Sequence, residues 1–99
     1  MAPPEQPSYE IDLHGMTGDQ AVRETHQRLL QIRAGRMSCK VRIITGRGEH
    51  THDGVSVLGP AVESWLQTEG RRVASVSDVQ WARDHGSLLV QITIREEAD

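Results

Sequence analysis

Apolar and polar residues alternate at period two through Tyr9-Glu10-Ile11-Asp12-Leu13, and the alternation stops at His14-Gly15. This predicts a strand with Tyr9, Ile11 and Leu13 on one face. The period then changes. Thr17 and Gln20 form a capping-box pattern, and Ala21, Val22, Thr25, Leu29 and Ile32 recur at three- and four-residue spacing until Gly35, the signature of an amphipathic helix. Cys39 to Thr45 (CKVRIIT) is rich in β-branched residues and ends at Gly46, which predicts a second strand. Leu58, Val62, Trp65 and Leu66 make the stripe of a second helix, with Pro60 accommodated in its first turn and Gly70 as its stop. Val73 to Trp81 and Ser87 to Arg95 read as two strands of an antiparallel hairpin, joined by Arg83-Asp84-His85-Gly86.

The order βαβαββ predicts an α/β fold in which helices cover a mixed sheet. A right-handed crossover makes the first two strands parallel. Their carboxyl ends then share one edge, where open α/β sheets bind ligands. Residues 1–8, with three prolines and no apolar period, read as a disordered leader, residues 9–95 as the domain, and residues 96–99 as an acidic tail.

A chain of 99 residues fits one domain near the small end of those that bury their own core. Apolar runs are only a few residues long, as at Leu88 to Val90, and the first residues lack the basic start and apolar centre of a signal peptide. A soluble, cytoplasmic protein with no membrane contact is expected. The single cysteine, Cys39, has no internal disulfide partner and reads as a small packed residue.

The net charge of −3 argues against a phosphate-bearing partner until its distribution is considered. Residues 1–19, 20–48 and 49–99 carry balances of −4, +6 and −5. The basic block comprises Arg23, Arg28, Arg33, Arg36, Lys40, Arg42 and Arg47. Arginine's planar fork pairs bidentately with phosphate, although a solvated helix face accounts equally well for the helical members.

Two clusters fall at the shared strand edge. Asp12 and His14 lie two apart on a strand, so their side chains leave the same face about 7 Å apart at their bases. Histidine titrates near neutrality, and a neighbouring carboxylate holds its tautomer or acts as base; the bland alternative is a turn-capping Asp12 and a packed His14. In Thr45-Gly46-Arg47-Gly48-Glu49-His50-Thr51-His52, two glycines let the backbone approach an anion that Arg47 would clamp. The spacing is neither a Walker loop nor GxGxxG. His50, His52 and Asp53 suit either a metal-site fragment or a polar loop tip. His26 reads as a packing residue on the first helix, and His85 as a turn residue remote from this edge. Trp65 reads as core; Trp81 and Tyr9 offer base-stacking platforms, with core packing or edge cover as the plainer role.

Together, IDLHG, a helix, IITGRGEHTHDG and a helix ending VESWL resemble the small MutS-related (Smr) domain over about residues 9–95. Asp12, His14 and Gly15 fall on that family's Leu-Asp-x-His-Gly motif, with Ile11 in place of leucine, and Thr45 to Gly48 fall on its Thr-Gly-x-Gly motif. The family's Gly-Gly-x-Gly run before the last strand is reduced here to Asp84-His85-Gly86. The resemblance implies a two-layer βαβαββ sandwich with a four-stranded mixed sheet, similar to the C-terminal domain of a bacterial translation initiation factor. It also implies nicking endonuclease activity on RNA or DNA, with ribosomes or repair intermediates as settings.

The expectation is a monomeric endonuclease favouring RNA over DNA. Asp12, His14, Arg47 and His50 are its catalytic candidates; Thr45, Gly46, Arg47, Gly48, His52, Lys40, Arg42 and Arg36 are its nucleic-acid-binding candidates. No cofactor is expected in this route. The rival readings are hydrolysis assisted by a divalent cation such as Mg or Mn, and nucleic-acid binding without cleavage.

Overall fold

A computed structural model describes residues 7–46, 58–83 and 86–94. The expectations for most of the leader, the acidic tail, Asp84, His85 and the segment containing Arg47, Gly48, His50, His52 and Asp53 lie outside the described residues. The elements run β1 (Tyr9–Asp12), α1 (Gly18–Ala34), β2 (Cys39–Ile44), α2 (Leu58–Trp65), a π-helical turn (Leu66–Gly70), α3 (Arg71–Val73), β3 (Val76–Trp81) and β4 (Ser87–Ile92).

The four strands form one sheet in the order β1-β2-β4-β3. β1 is parallel to β2, and both β2 and β3 are antiparallel to β4. Alternation along the strands sorts the two faces. Ile11, Val41, Ile43, Leu88, Val90 and Ile92 are buried and pack with Ala21 and Leu29 of α1, Val62 of α2 and Leu66 of the π turn in one core. Glu10, Asp12, Lys40, Arg42 and Ile44 alternate with these on β1 and β2 and are exposed or half-buried on the opposite face. The helices therefore cover one face of a mixed sheet, as the strand and helix periods predict.

α1 starts with the expected capping box: Thr17 Oγ1 accepts from the Gln20 amide, and Gln20 Oε1 accepts from the Thr17 amide. Several boundaries differ from the pattern: β1 and β2 end one residue early, at Asp12 and Ile44, β4 ends at Ile92, and the second helical region and β3 shift further. Gly70 does not stop the second helical region, which continues to Val73. The glycine serves packing instead, since a Cβ there would stand 3.3 Å from both the Trp65 ring and Val76. β3 accordingly begins at Val76 rather than Val73. No helix among the described residues is long and apolar enough to cross a membrane.

Candidate active-site rim

Asp12, the last residue of β1, is in register with Ile44, the last residue of β2. Both strands turn at the same level, and both turns use glycine: Gly15 has φ +84° and Gly46 has φ +91°. A Cβ disfavours this left-handed backbone, which is why the chain carries glycine at these two positions. The Leu13 amide donates to the Ile44 carbonyl at 2.8 Å, extending the pairing past the strand end. A Cβ placed on Gly46 would lie 3.7 Å from the Cβ of His14. The first cluster thus meets the described root of the second, Thr45 and Gly46, across β1 and β2.

Asp12 Oδ1 accepts two hydrogen bonds from His14, one from the backbone N–H at 3.1 Å and one from ring Nδ1 at 2.8 Å. The ring bond first, then the backbone bond, hold the Asp12 carboxyl below its ordinary pKa, with the imidazole's charge adding a smaller pull. An ionised carboxylate can only accept, so Nδ1 carries the hydrogen and Nε2 is the open nitrogen. The His14 side chain is 73% exposed and that of Asp12 54% exposed, so the pair faces solvent.

The root of the β2 loop is pinned from the hairpin. The amides of Thr45 and Gly46 both donate to the Gly86 carbonyl at 3.1 Å, and the buried Thr45 hydroxyl lies 3.4 Å from the carbonyls of Gly86 and Gly46. Gly86 immediately precedes β4, whose first residue, Ser87, pairs with Ile44. The β3–β4 turn therefore reaches this rim through Gly86, whereas the linear pattern sets it apart. An antiparallel β4 paired with β2 must begin where β2 ends, so the signal lay in the sheet order rather than in the turn residues. Behind the rim, a Cβ on Gly59 in the first turn of α2 would stand 2.9 Å from Trp81 Cη2 and 3.7 Å from Thr45 Oγ1. Half-buried Trp81 is thus a packed wall at the start of α2.

Of the remaining candidates, Arg42 and Lys40 sit on the uncovered face of β2, two and four residues back from Ile44, or about 7 and 13 Å by strand rise. Arg42 Nε donates to Ser87 Oγ at 3.3 Å, and its NH1 lies 3.8 Å from Glu10 Oε2. Arg36 is not brought to the rim. It follows α1 with φ +60°, close to where β2 begins and at the other end of the sheet. His26 is half-buried with its ring centroid 5.1 Å from that of Trp65. Among the described residues no group of three or more His, Cys, Asp or Glu side chains gathers to hold a metal ion.

Comparison with known proteins bears on the family and the fold. The model of the Smr domain family matches residues 11–93. A Smr domain-containing protein of Schizosaccharomyces pombe is 41% identical over 61 residues, which is 61% of this chain and 29% of the yeast protein. This chain thus corresponds to well under half of that relative's length. The crystal structure of the human small-MutS related domain is 27% identical and superposes with a TM-score of 0.56, covering 84% of this chain and 99% of the human one.

Proposed function

Since the chain belongs to the Smr domain family, we propose that it is a nucleic-acid-binding endonuclease that nicks RNA in preference to DNA, with Asp12 and His14 as its reacting pair. The observation that carries the reading is the 2.8 Å contact between Asp12 Oδ1 and His14 Nδ1, which leaves Nε2 as a solvent-facing base beside the Gly46 turn. In this route Nε2 takes the proton of a 2′-hydroxyl as its oxygen bonds to the adjacent phosphorus. The bond from phosphorus to the 5′-oxygen breaks, and that oxygen receives a proton, with His50 as the candidate donor. Arg47 and the loop amides offset the charge that develops on the phosphoryl oxygens. The products are a 2′,3′-cyclic phosphate and a 5′-hydroxyl.

The test is to incubate end-labelled RNA and DNA with the wild-type protein and with Asp12→Asn/His14→Ala, with and without chelator, and to identify the new ends. Cyclic-phosphate ends that form in chelator and disappear in the double variant are expected. Equal cleavage of an oligonucleotide lacking the 2′-hydroxyl would exclude this route, and activity lost in chelator and restored by manganese would assign hydrolysis assisted by a cation. The open setting of His14, 73% exposed, favours a second reading, recognition without cleavage. Salt-sensitive retention of single strands that are never cut would establish it.

A further inference from the structure

β1 is an edge strand, and between it and the second half of α1 lies an open groove of about 270 Å³ lined by Tyr9, Ile11, Arg28, Gln31, Ile32 and Gly35. We infer that this groove is a nucleotide subsite, in which a base of the bound strand stacks on Tyr9 while Arg28 meets the adjoining phosphate. The inference rests on the nucleic-acid reading above and extends it to a surface away from the reacting pair.

Four observations converge on a nucleotide as the occupant. Tyr9 is 48% exposed, one of three large apolar side chains left open among the described residues, and an aromatic ring is the usual platform for an unpaired base. Gln31 is exposed on the groove wall and offers both an amide donor and an acceptor to a base edge. From Arg28 to Arg36 the chain carries three arginines and no acid; Arg33 is turned away onto Ser75 Oγ at 2.9 Å, and Arg28 is the arginine that lines the groove. Arg28 Nε is only loosely engaged by Glu24, at 3.5 Å between partly exposed side chains, a contact that a phosphate can replace at little cost. The carboxylate that lines the groove, Glu10, is drawn toward Arg42 at 3.8 Å. Position also fits. Tyr9 precedes Asp12 by three residues, about 10 Å along β1 but on the other face of the strand; because β1 is the sheet edge, a bound strand reaches both by crossing that edge.

The experiment measures anisotropy of a labelled, 2′-O-methylated single-stranded RNA with wild type, Tyr9→Phe, Tyr9→Leu and Arg28→Gln, each checked by thermal melting. Tyr9→Leu should weaken binding about tenfold and Tyr9→Phe less than about twofold, as expected for lost and retained stacking. Arg28→Gln should weaken it several-fold and flatten the salt dependence. In parallel, amide shifts are followed by NMR. Adenosine monophosphate should move Tyr9 to Ile11 and Gln31 to Gly35; shifts there from an extended peptide and none from the nucleotide would give the edge to strand pairing with a protein and overturn the subsite. Wild-type affinity in a folded Tyr9→Leu protein would overturn it too, whether or not the rim cuts. Tyr9-dependent binding without any cleavage would keep the subsite and reject the nuclease. Absence of RNA binding by the wild type would reject both.

Discussion

The two ends of the sheet solve the same problem, reversing the chain between a strand and a helix, with different residues. Among the described residues, those with positive φ are Gly15 and Gly46 at the carboxyl rim of β1 and β2, and Arg36 and Ser75, at φ +60° and +61°, at the opposite rim. A residue with a Cβ costs about 1–2 kcal/mol in that backbone region, so the far rim tolerates a strain that the near rim avoids. The surroundings differ as well. Around Ser75 the turn is stapled by the Thr93 amide donating to the Ser75 carbonyl at 3.0 Å and by the Arg33 contact, and the Ile94 amide donates to Ser38 Oγ at 2.9 Å nearby. A Cβ on Gly15 would meet nothing within 4 Å, and the Asp12–His14 bonds close only on themselves. The far end is stapled around its strained residue, whereas at the near end the Gly46 turn is pinned to Gly86 and the Gly15 turn beside the Asp12–His14 pair stands open.

The largest contrast should appear on substituting the pair. Asp12→Asn with His14→Ala is expected to slow RNA cleavage by about a hundredfold or more. Its melting temperature should move by only a few degrees, because exposed side chains contribute within about 0.5 kcal/mol. A large loss of stability in this variant would show that the rim is structural and erase the contrast. Next comes Gly46→Ala. The added methyl meets His14 at an ordinary contact distance of 3.7 Å, so the cost is backbone strain, about 1–2 kcal/mol in denaturant unfolding, with slower cleavage as the turn shifts.

Ser75→Gly tests the far rim. Releasing the strained φ outweighs the exposed bond to Arg33, for a gain of about 0.5 kcal/mol with cleavage unchanged; a loss of stability would mean that the staple matters more than the strain. The smallest effect concerns pH. The Asp12 carboxyl is held below its ordinary value by His14, so the folded state favours its ionised form. That contribution is present above the ordinary carboxylate pKa and is lost as pH falls through the lower, folded value. An NMR titration of Asp12 should therefore give a midpoint below 3.8 that moves upward in His14→Ala. An unmoved midpoint would mean that the hydrogen bond does not form in solution.

Much of the fold was legible because its causes are local. The alternation in Tyr9 to Leu13, the capping box at Thr17 and Gln20, and the β-branched run to Ile44 each encode an element through backbone preferences that neighbours in sequence supply. The helix end near Gly70 was misleading for a physical reason. Glycine marks a stop when it supplies a positive φ, but Gly70 has φ −60° and makes room for Trp65, a demand that only packing reveals. The candidate rim was legible in part. Asp12 and His14 share a strand end by spacing, whereas the convergence of Gly46 and Gly86 depends on β4 inserting between β2 and β3. Arg36 shows the converse: it belongs to the basic block along the chain, yet α1 carries it to the far end of the sheet.

Sequence alone settled the short-range matters: the order and type of the main strands and helices, the glycine turns after the first two strands, and that an acid and an imidazole stand two residues apart. Those follow from steric and hydrogen-bonding preferences acting over a few residues. Tertiary structure decided which of these pieces are neighbours, through strand order and core packing. It put His14 against Gly46, brought Gly86 to hold Thr45, sent Arg36 to the opposite end and left Tyr9 open beside Arg28. Such contacts join residues tens of positions apart, and their energies exist only once the chain has closed on its core.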